Sequence, residues 1–215
     1  MAVLVTGIGL VGANVSRKFI EEGYDVVCYD MIRRDIDFLK EVSNRFTFVR
    51  GDILDLEFLK KVVEKHRVDG IVHTVIHSTS SDASKMFQVN VAGTANVLEA
   101  ARLSRLKVVY VSTGAIYGLR PDLAPIKEDE SQKLSVLGDA PAPTLYAYTK
   151  RMAEELTEMY FAAFGVDGIT IRTSHVYGPA DGAARHLQRG LPLLLRKALL
   201  GESLRMTQGG DEKID

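Results

Sequence analysis

A phenol and an ammonium stand four residues apart in the run Leu145-Tyr146-Ala147-Tyr148-Thr149-Lys150. The residues that follow, Arg151-Met152-Ala153-Glu154-Glu155-Leu156, continue a helical pattern, so Tyr146 and Lys150 share one face. An ordinary tyrosine, with a pKa near about 10, is a poor base at neutral pH. A neighbouring ammonium stabilises phenolate by Coulomb attraction, which makes proton transfer with a substrate hydroxyl the chemistry expected of Tyr146. Of the eight tyrosines, only Tyr146 has a lysine four positions later. The alternative is an exposed helical pair with no chemistry, and the rest of the chain decides between the two. A second candidate lies in Val111-Ser112-Thr113-Gly114-Ala115-Ile116-Tyr117-Gly118, at the predicted end of a strand. There Thr113 could hold a substrate oxygen; Ser112 is the alternative, or both hydroxyls cap a loop.

The elements that must position these groups alternate regularly. Short apolar runs at Val3–Val5, Asp25–Tyr29, Phe46–Val49, Gly70–His73, Lys107–Val111 and Gly168–Arg172 read as strands of a parallel sheet. Helical patterns at Val11–Glu22, Leu56–His66, Ala83–Ser104 and Leu145–Phe164 separate them. The expected fold class is therefore α/β, a doubly wound parallel sheet of the Rossmann type with right-handed crossovers. Residues 1–172 are expected to form this domain. Leu119–Thr144 holds four of the six prolines and reads as a long loop, a place where function often resides. After Tyr177-Gly178-Pro179 the pattern changes to a small-residue loop, a core-facing helix near Leu191–Leu200 and a polar tail. Residues 173–215 thus read as the start of a substrate-binding lobe.

Gly7-Ile8-Gly9-Leu10-Val11-Gly12 follows the first predicted strand directly and opens the first helix. In that context the G-x-G-x-x-G spacing serves a dinucleotide: glycine at the turn, at the close approach to pyrophosphate, and where helix packs on strand. The N–H groups of Gly9, Leu10, Val11 and Gly12 would meet the anion along the favourable helix-dipole direction. Asp30 ends the second strand, where a carboxylate accepts hydrogen bonds from the adenosine ribose and repels a 2′-phosphate, favouring NAD. Arg33 and Arg34 could instead pair with that phosphate or simply start a solvated helix. Asp52-Ile53 could set a carboxylate and an aliphatic wall around adenine. With a dinucleotide in place, Tyr146 would accept a proton from a hydroxyl as hydride leaves the same carbon.

Several other classes are disfavoured. The 27 basic and 28 acidic residues are interleaved and leave a net charge of −1, which supplies no basic field for nucleic acid or an anionic membrane. Cys28 is the only cysteine, which suits a reducing cytoplasm. No signal peptide is expected ahead of the first strand, and no apolar run reaches the roughly 18 residues of a membrane span. His73 and His77 are four apart on an extended segment, hence separated by roughly 13 Å, so no metal site is expected. His175 and His186 lie in the expected substrate region, where substrate contact and ordinary loop roles are both open. Lys127-Glu128-Asp129-Glu130 reads as a solvated loop.

Taken in order, six segments resemble the extended short-chain dehydrogenase/reductase family, in particular its NAD-dependent epimerase/dehydratase branch. They are the Val-Thr-Gly start of the glycine loop, Gly51-Asp52-Ile53, Asn90-Val91-Ala92-Gly93-Thr94, Ser112-Thr113 with Ile116-Tyr117-Gly118, Tyr146-x-x-x-Lys150, and Arg172 leading to Val176-Tyr177-Gly178-Pro179. The resemblance implies that Tyr146 is the base, that Lys150 also holds the nicotinamide ribose, that Thr113 orients substrate, and that Asn90 stands near the cofactor. Asn90 could equally be a helix-interior residue bonded to backbone. The resemblance further implies epimerisation of a nucleotide sugar by transient oxidation, most often at C4, in a homodimer paired through Ala83–Ser104 and Leu145–Phe164. A dehydrogenase of a sugar or other secondary alcohol, or a dinucleotide sensor without turnover, are the alternatives. Four departures stand out. The loop is one residue shorter than the family's TGxxGxxG. Gly114-Ala115 replace the Asp-Glu of the dehydratases, His175 replaces an asparagine, and Ile214 stands where nucleotide-sugar enzymes carry arginine.

Overall fold

The structure, a computed structural model, describes residues 1–33, 37–42, 44–78, 82–117, 145–174, 176–178 and 190–203. Arg34, the proline-rich loop at 119–144, His175, His186 and Ile214 fall outside these residues. Six strands form one parallel sheet: β1 Ala2–Thr6, β2 Asp25–Asp30, β3 Phe46–Arg50, β4 Val68–His73, β5 Lys107–Thr113 and β6 Gly168–Thr173. The order across the sheet is β3-β2-β1-β4-β5-β6, and every pairing is parallel. This is the expected doubly wound α/β fold. The chain runs outward from β1 to β3, then returns to place β4 on the other side of β1. Its switch point, where such sheets bind ligands, therefore lies beyond the carboxyl ends of β1 and β4.

Alternation along the strands sends neighbouring side chains to opposite faces. Leu4, Val27, Ile71 and Val108 join Leu59, Val62, Val97 and Leu98 in one core. Val3, Val5, Cys28 and Val72 join Ala13, Ile20 and Leu39 in the other. The first core lies under α3 (Leu56–Lys65), α5 (Gly93–Ser104) and α6 (Leu145–Phe164); the second lies under α1 (Leu10–Glu21) and the short α2 (Asp37–Lys40). Each fully buried aliphatic side chain contributes about 1.5–3 kcal/mol. Asp55 caps α3 by accepting the Phe58 N–H at 2.9 Å.

Two expectations need correction. The helix read over Ala83–Ser104 is three pieces: α4 (Ala83–Phe87), a π-helical turn at Gln88–Ala92, and α5. A π-turn inserts one residue into the helical ladder without any glycine or proline to signal it, so hydrophobic spacing passes over it. The Leu-rich segment near 191–200 forms α7 (Gly190–Leu199), but it is not core-facing: Leu195 and Leu199 are exposed, and none of its described side chains is buried. Periodicity shows that a helix has an apolar face, not that another element covers it. No described helix is long and apolar enough to cross a membrane.

Candidate active site

The glycine turn sits at the switch point, between the ends of β1 and β4. Gly7 takes φ +85°, which L side chains rarely adopt, and its N–H donates to the Tyr29 carbonyl at 2.8 Å. A Cβ on Gly7 would lie 2.7 Å from the backbone N of Val75, and one on Gly12 only 1.8 Å from the Gly7 carbonyl oxygen. A Cβ on Gly9 would meet nothing within 4 Å. Two glycines are thus demanded by the fold, while Gly9 leaves open space beside the first turn of α1. The N–H groups of Leu10, Val11 and Gly12 have no acceptor within the helix. Open space beside free helix-start donors fits a pyrophosphate. The Thr74 hydroxyl braces the turn through the carbonyls of Thr6 (2.9 Å) and Gly7 (2.7 Å).

Asp30 adjoins this turn. Its Oδ2 accepts the Ile8 N–H at 2.6 Å and its Oδ1 accepts the Ile32 N–H at 3.0 Å, so the carboxylate is held at the mouth of the crevice with further lone pairs to offer. The Arg33 guanidinium lies 5.8 Å from the Phe48 ring centroid. Asp52 Oδ1 accepts the Leu54 N–H at 3.0 Å, while the Ile53 side chain is buried against the space left by Gly93, where a Cβ would lie 2.7 Å from its Cγ2. The aliphatic wall expected of Ile53 therefore packs into the core.

Tyr146 and Lys150 stand one turn apart at the start of α6, and the structure brings Thr113 to the phenol. Thr113 Oγ1 accepts the Ala115 N–H at 3.2 Å, which leaves its own proton available toward the nearby Tyr146 phenol. Burial pushes the phenol pKa above its ordinary value, and the Thr113 hydroxyl opposes that rise. Lys150 is 1% exposed; its Nζ donates to the Val111 carbonyl at 2.8 Å and lies 4.2 Å from the Tyr110 ring centroid. Burial lowers its pKa from 10.5 to about 7, against the pull of Glu154 one turn further on. The Tyr146 pKa is raised rather than lowered, and Lys150 is not among the groups that shift it. The amine is turned toward Val111, and Thr113 is the group that favours phenolate. Ser112 is buried beneath, its Oγ without a hydrogen-bond partner and its carbonyl accepting from Thr173 at 3.2 Å.

Asn90 lies in the π-turn at 1% exposure, where its side chain is bonded to backbone. Its Oδ1 accepts the His77 N–H at 2.7 Å, and its Nδ2 donates to the His77 carbonyl at 3.0 Å and to Thr149 Oγ1 at 2.9 Å. Thr149 in turn donates to the Tyr146 carbonyl at 2.9 Å. Asn90 thus ties the segment after β4 to the first turn of α6. Thr149 carried no signal in the sequence beyond its place between Tyr146 and Lys150. Glu154 was also missed: it is fully buried and chelates Arg172, whose Nη1 donates to the Tyr117 hydroxyl at 2.9 Å. The four-residue repeat Tyr146, Lys150, Glu154 was the available clue. No group of three or more metal-ligating side chains occurs among the described residues.

A parallel sheet with a glycine turn at its switch point and a phenol beside it defines a dinucleotide-binding α/β protein. The chain belongs to the NAD dependent epimerase/dehydratase family, whose model matches residues 3–215. It is 30% identical over 200 residues to CDP-paratose 2-epimerase of Salmonella typhi, covering 83% of this chain and 58% of that protein. It is 31% identical over 178 residues to UDP-glucose 4-epimerase of Lacticaseibacillus casei, covering 80% and 50%. Among solved structures, the epimerase Mth375 of Methanothermobacter thermautotrophicus superposes with a TM-score of 0.79 at 30% identity, over 98% of this chain and 62% of that one. UDP-glucose 4-epimerase of Brucella ovis in complex with NAD superposes at 0.66 with 29% identity, over 80% and 51%. The chain therefore spans between half and two thirds of the length of these relatives.

Proposed function

We propose that this chain carries the cofactor-binding and proton-transfer half of an NAD-dependent epimerase that oxidises a sugar carbon transiently, at C4 of a nucleotide sugar. NAD, when bound, supplies the hydride acceptor. The residues present fit it: Gly7, Gly9, Leu10, Val11 and Gly12 would hold the pyrophosphate, Asp30 the adenosine ribose, Asp52 the adenine side, and Lys150 the nicotinamide ribose. The observation that carries the reading is that Thr113, at the end of β5, lies close enough to Tyr146 to oppose the rise of its pKa, at the open end of the sheet and one helical turn from Lys150. The Thr113 hydroxyl would thereby lower the cost of phenolate. Tyr146 can then take the proton of a substrate hydroxyl and return it when the carbonyl is reduced from its other face. Residues from 173 onward, His175 among them, would begin the lobe that holds the sugar nucleotide.

Epimerisation is favoured over dehydration because the 3-10 turn after Thr113 begins Gly114-Ala115 and offers no carboxyl group for elimination. A homodimer pairing through α5 and α6 is supported by their exposed apolar side chains, Leu103, Met152, Met159 and Phe164. Mixing the protein with NAD and a panel of nucleotide sugars and free sugars tests the activity. Absorbance follows NADH and NMR follows product stereochemistry. Inversion without net NADH is expected. Accumulating NADH would mean a dehydrogenase, and bound NAD with neither signal would mean a sensor.

A further inference from the structure

His73 is 1% exposed at the carboxyl end of β4, and proton transfer at Tyr146 makes no use of it. Its two ring nitrogens are both engaged: Nδ1 lies 2.7 Å from Thr6 Oγ1, and Nε2 lies 3.0 Å from Thr94 Oγ1. Thr94 Oγ1 donates its own proton to the Asn90 carbonyl at 2.6 Å, so toward His73 it can only accept. The imidazole is therefore the neutral Nε2–H form, and its Nδ1 accepts the Thr6 hydroxyl proton. The Tyr110 ring of β5 lies 5.8 Å away, and burial together with the Lys150 amine of α6 lowers the His73 pKa to about 3.

The hydrogen bonds run in one direction across five elements, from β1 through β4, α5 and the π-turn to α6. Thr6, the residue before Gly7, donates to His73; His73 donates to Thr94; Thr94 donates to Asn90 in the π-turn. From Asn90 the amide reaches Thr149, and Thr149 reaches the carbonyl of Tyr146. The line thus starts at the glycine turn and ends on the residue that carries the phenol. A fully satisfied buried network of this kind fixes one arrangement of the elements it joins.

We propose that His73 is a positioning residue, whose imidazole sets the distance between the glycine turn and the first turn of α6 and hence the placement of Tyr146 over a cofactor bound at that turn. The catalytic consequence rests on the function proposed above; the positioning itself does not.

Thr94→Val removes the hydroxyl while keeping the side-chain shape, and leaves the His73 Nε2–H without an acceptor; Thr94→Ser keeps the hydroxyl. In hydrogen exchange on the cofactor-free protein, Thr94→Val should speed the amides of both 7–12 and 145–150 by about fivefold or more, with β3 unchanged and Thr94→Ser close to the parent. Nitrogen NMR of the imidazole should show a protonated Nε2 and an acceptor Nδ1. With substrate, Thr94→Val should lower kcat by about tenfold, leave the Kd for NAD within about twofold, and be rescued by Thr94→Ser. Acceleration confined to α5 or spread evenly over the whole chain would overturn the proposal. So would a serine variant as impaired as the valine one, or an Nδ1–H tautomer. Should Tyr146→Phe retain full turnover, the proposed base is refuted, while the exchange and NMR results still decide the positioning of α6.

Discussion

The two ends of the cleft are built from different material. At the glycine turn the groups offered to a ligand are main-chain N–H donors, and the shape comes from side chains that are missing. At the phenol the working groups are side chains, and distant side chains hold them in place: Asn90 on Thr149, Glu154 on Arg172. A backbone-built site depends on local conformation and on space. A side-chain-built site depends on hydrogen-bond partners brought from distant parts of the chain, and it changes when any one of them is lost. The difference predicts two kinds of failure: binding lost at the turn, and chemistry lost at the phenol.

The largest separation should come from Tyr146→Phe. Removing one hydroxyl should cost about 10²–10⁴-fold in turnover, as loss of a general base does, with the calorimetric Kd for NAD nearly unchanged. Equal losses of both would dissolve the distinction between the two ends. Next in size is Gly12→Ala. Its Cβ would meet the Gly7 carbonyl oxygen at 1.8 Å, so the turn must shift; a destabilisation of about 3 kcal/mol is expected in chemical denaturation. Gly9→Ala sharpens the contrast, because that Cβ meets nothing within 4 Å among the described residues. Thermal stability should hold while NAD binds about tenfold more weakly, or roughly 1.4 kcal/mol. A stable Gly9→Ala protein with parental NAD affinity would remove the pyrophosphate from that space.

A further contrast concerns pH. In the cofactor-free protein Lys150 gives up its proton near pH 7, whereas the unfolded chain holds it to about 10.5. The unfolded state binds more protons between those values, so stability should rise with pH from about 7 toward 10, by an amount on the order of a few kcal/mol. Below pH 7 both states carry the charge and that gain is absent. Lys150→Met should flatten this slope in denaturation curves taken at successive pH values. An unchanged slope would mean that the amine is not what titrates.

The same contrast explains what the amino-acid sequence shows. The glycine turn is legible because its requirements are local: Gly7 needs a positive φ, Gly12 needs closeness to Gly7, and both sit in one strand-turn-helix unit. Strand and helix alternation was legible for a related reason, since burial imposes a period on neighbouring residues. The helix Leu145–Phe164 was read to its observed ends. The support of the phenol was not legible. Thr94, His73 and Thr6 come together only after β1 and β4 pair and α5 packs on them, and nothing in their spacing announces a directed hydrogen-bond line. Ile53 shows the same dependence on distant residues. A residue near the expected adenine site is drawn inward by the space that Gly93, forty positions later, leaves open.

The π-turn at Gln88–Ala92 gives one position in this chain an unusual weight. A π-turn holds one residue more than a plain α-helix, so removing a residue other than Asn90 there would close it into an α-helix and move the remaining residues of the turn around the helix axis. Asn90 would leave its place between His77 and Thr149 although every chemical group in the cleft was still encoded. Relatives that gain or lose one residue at this spot are therefore expected to differ in how α6 is held, a larger consequence than most substitutions of the visible motif residues would bring.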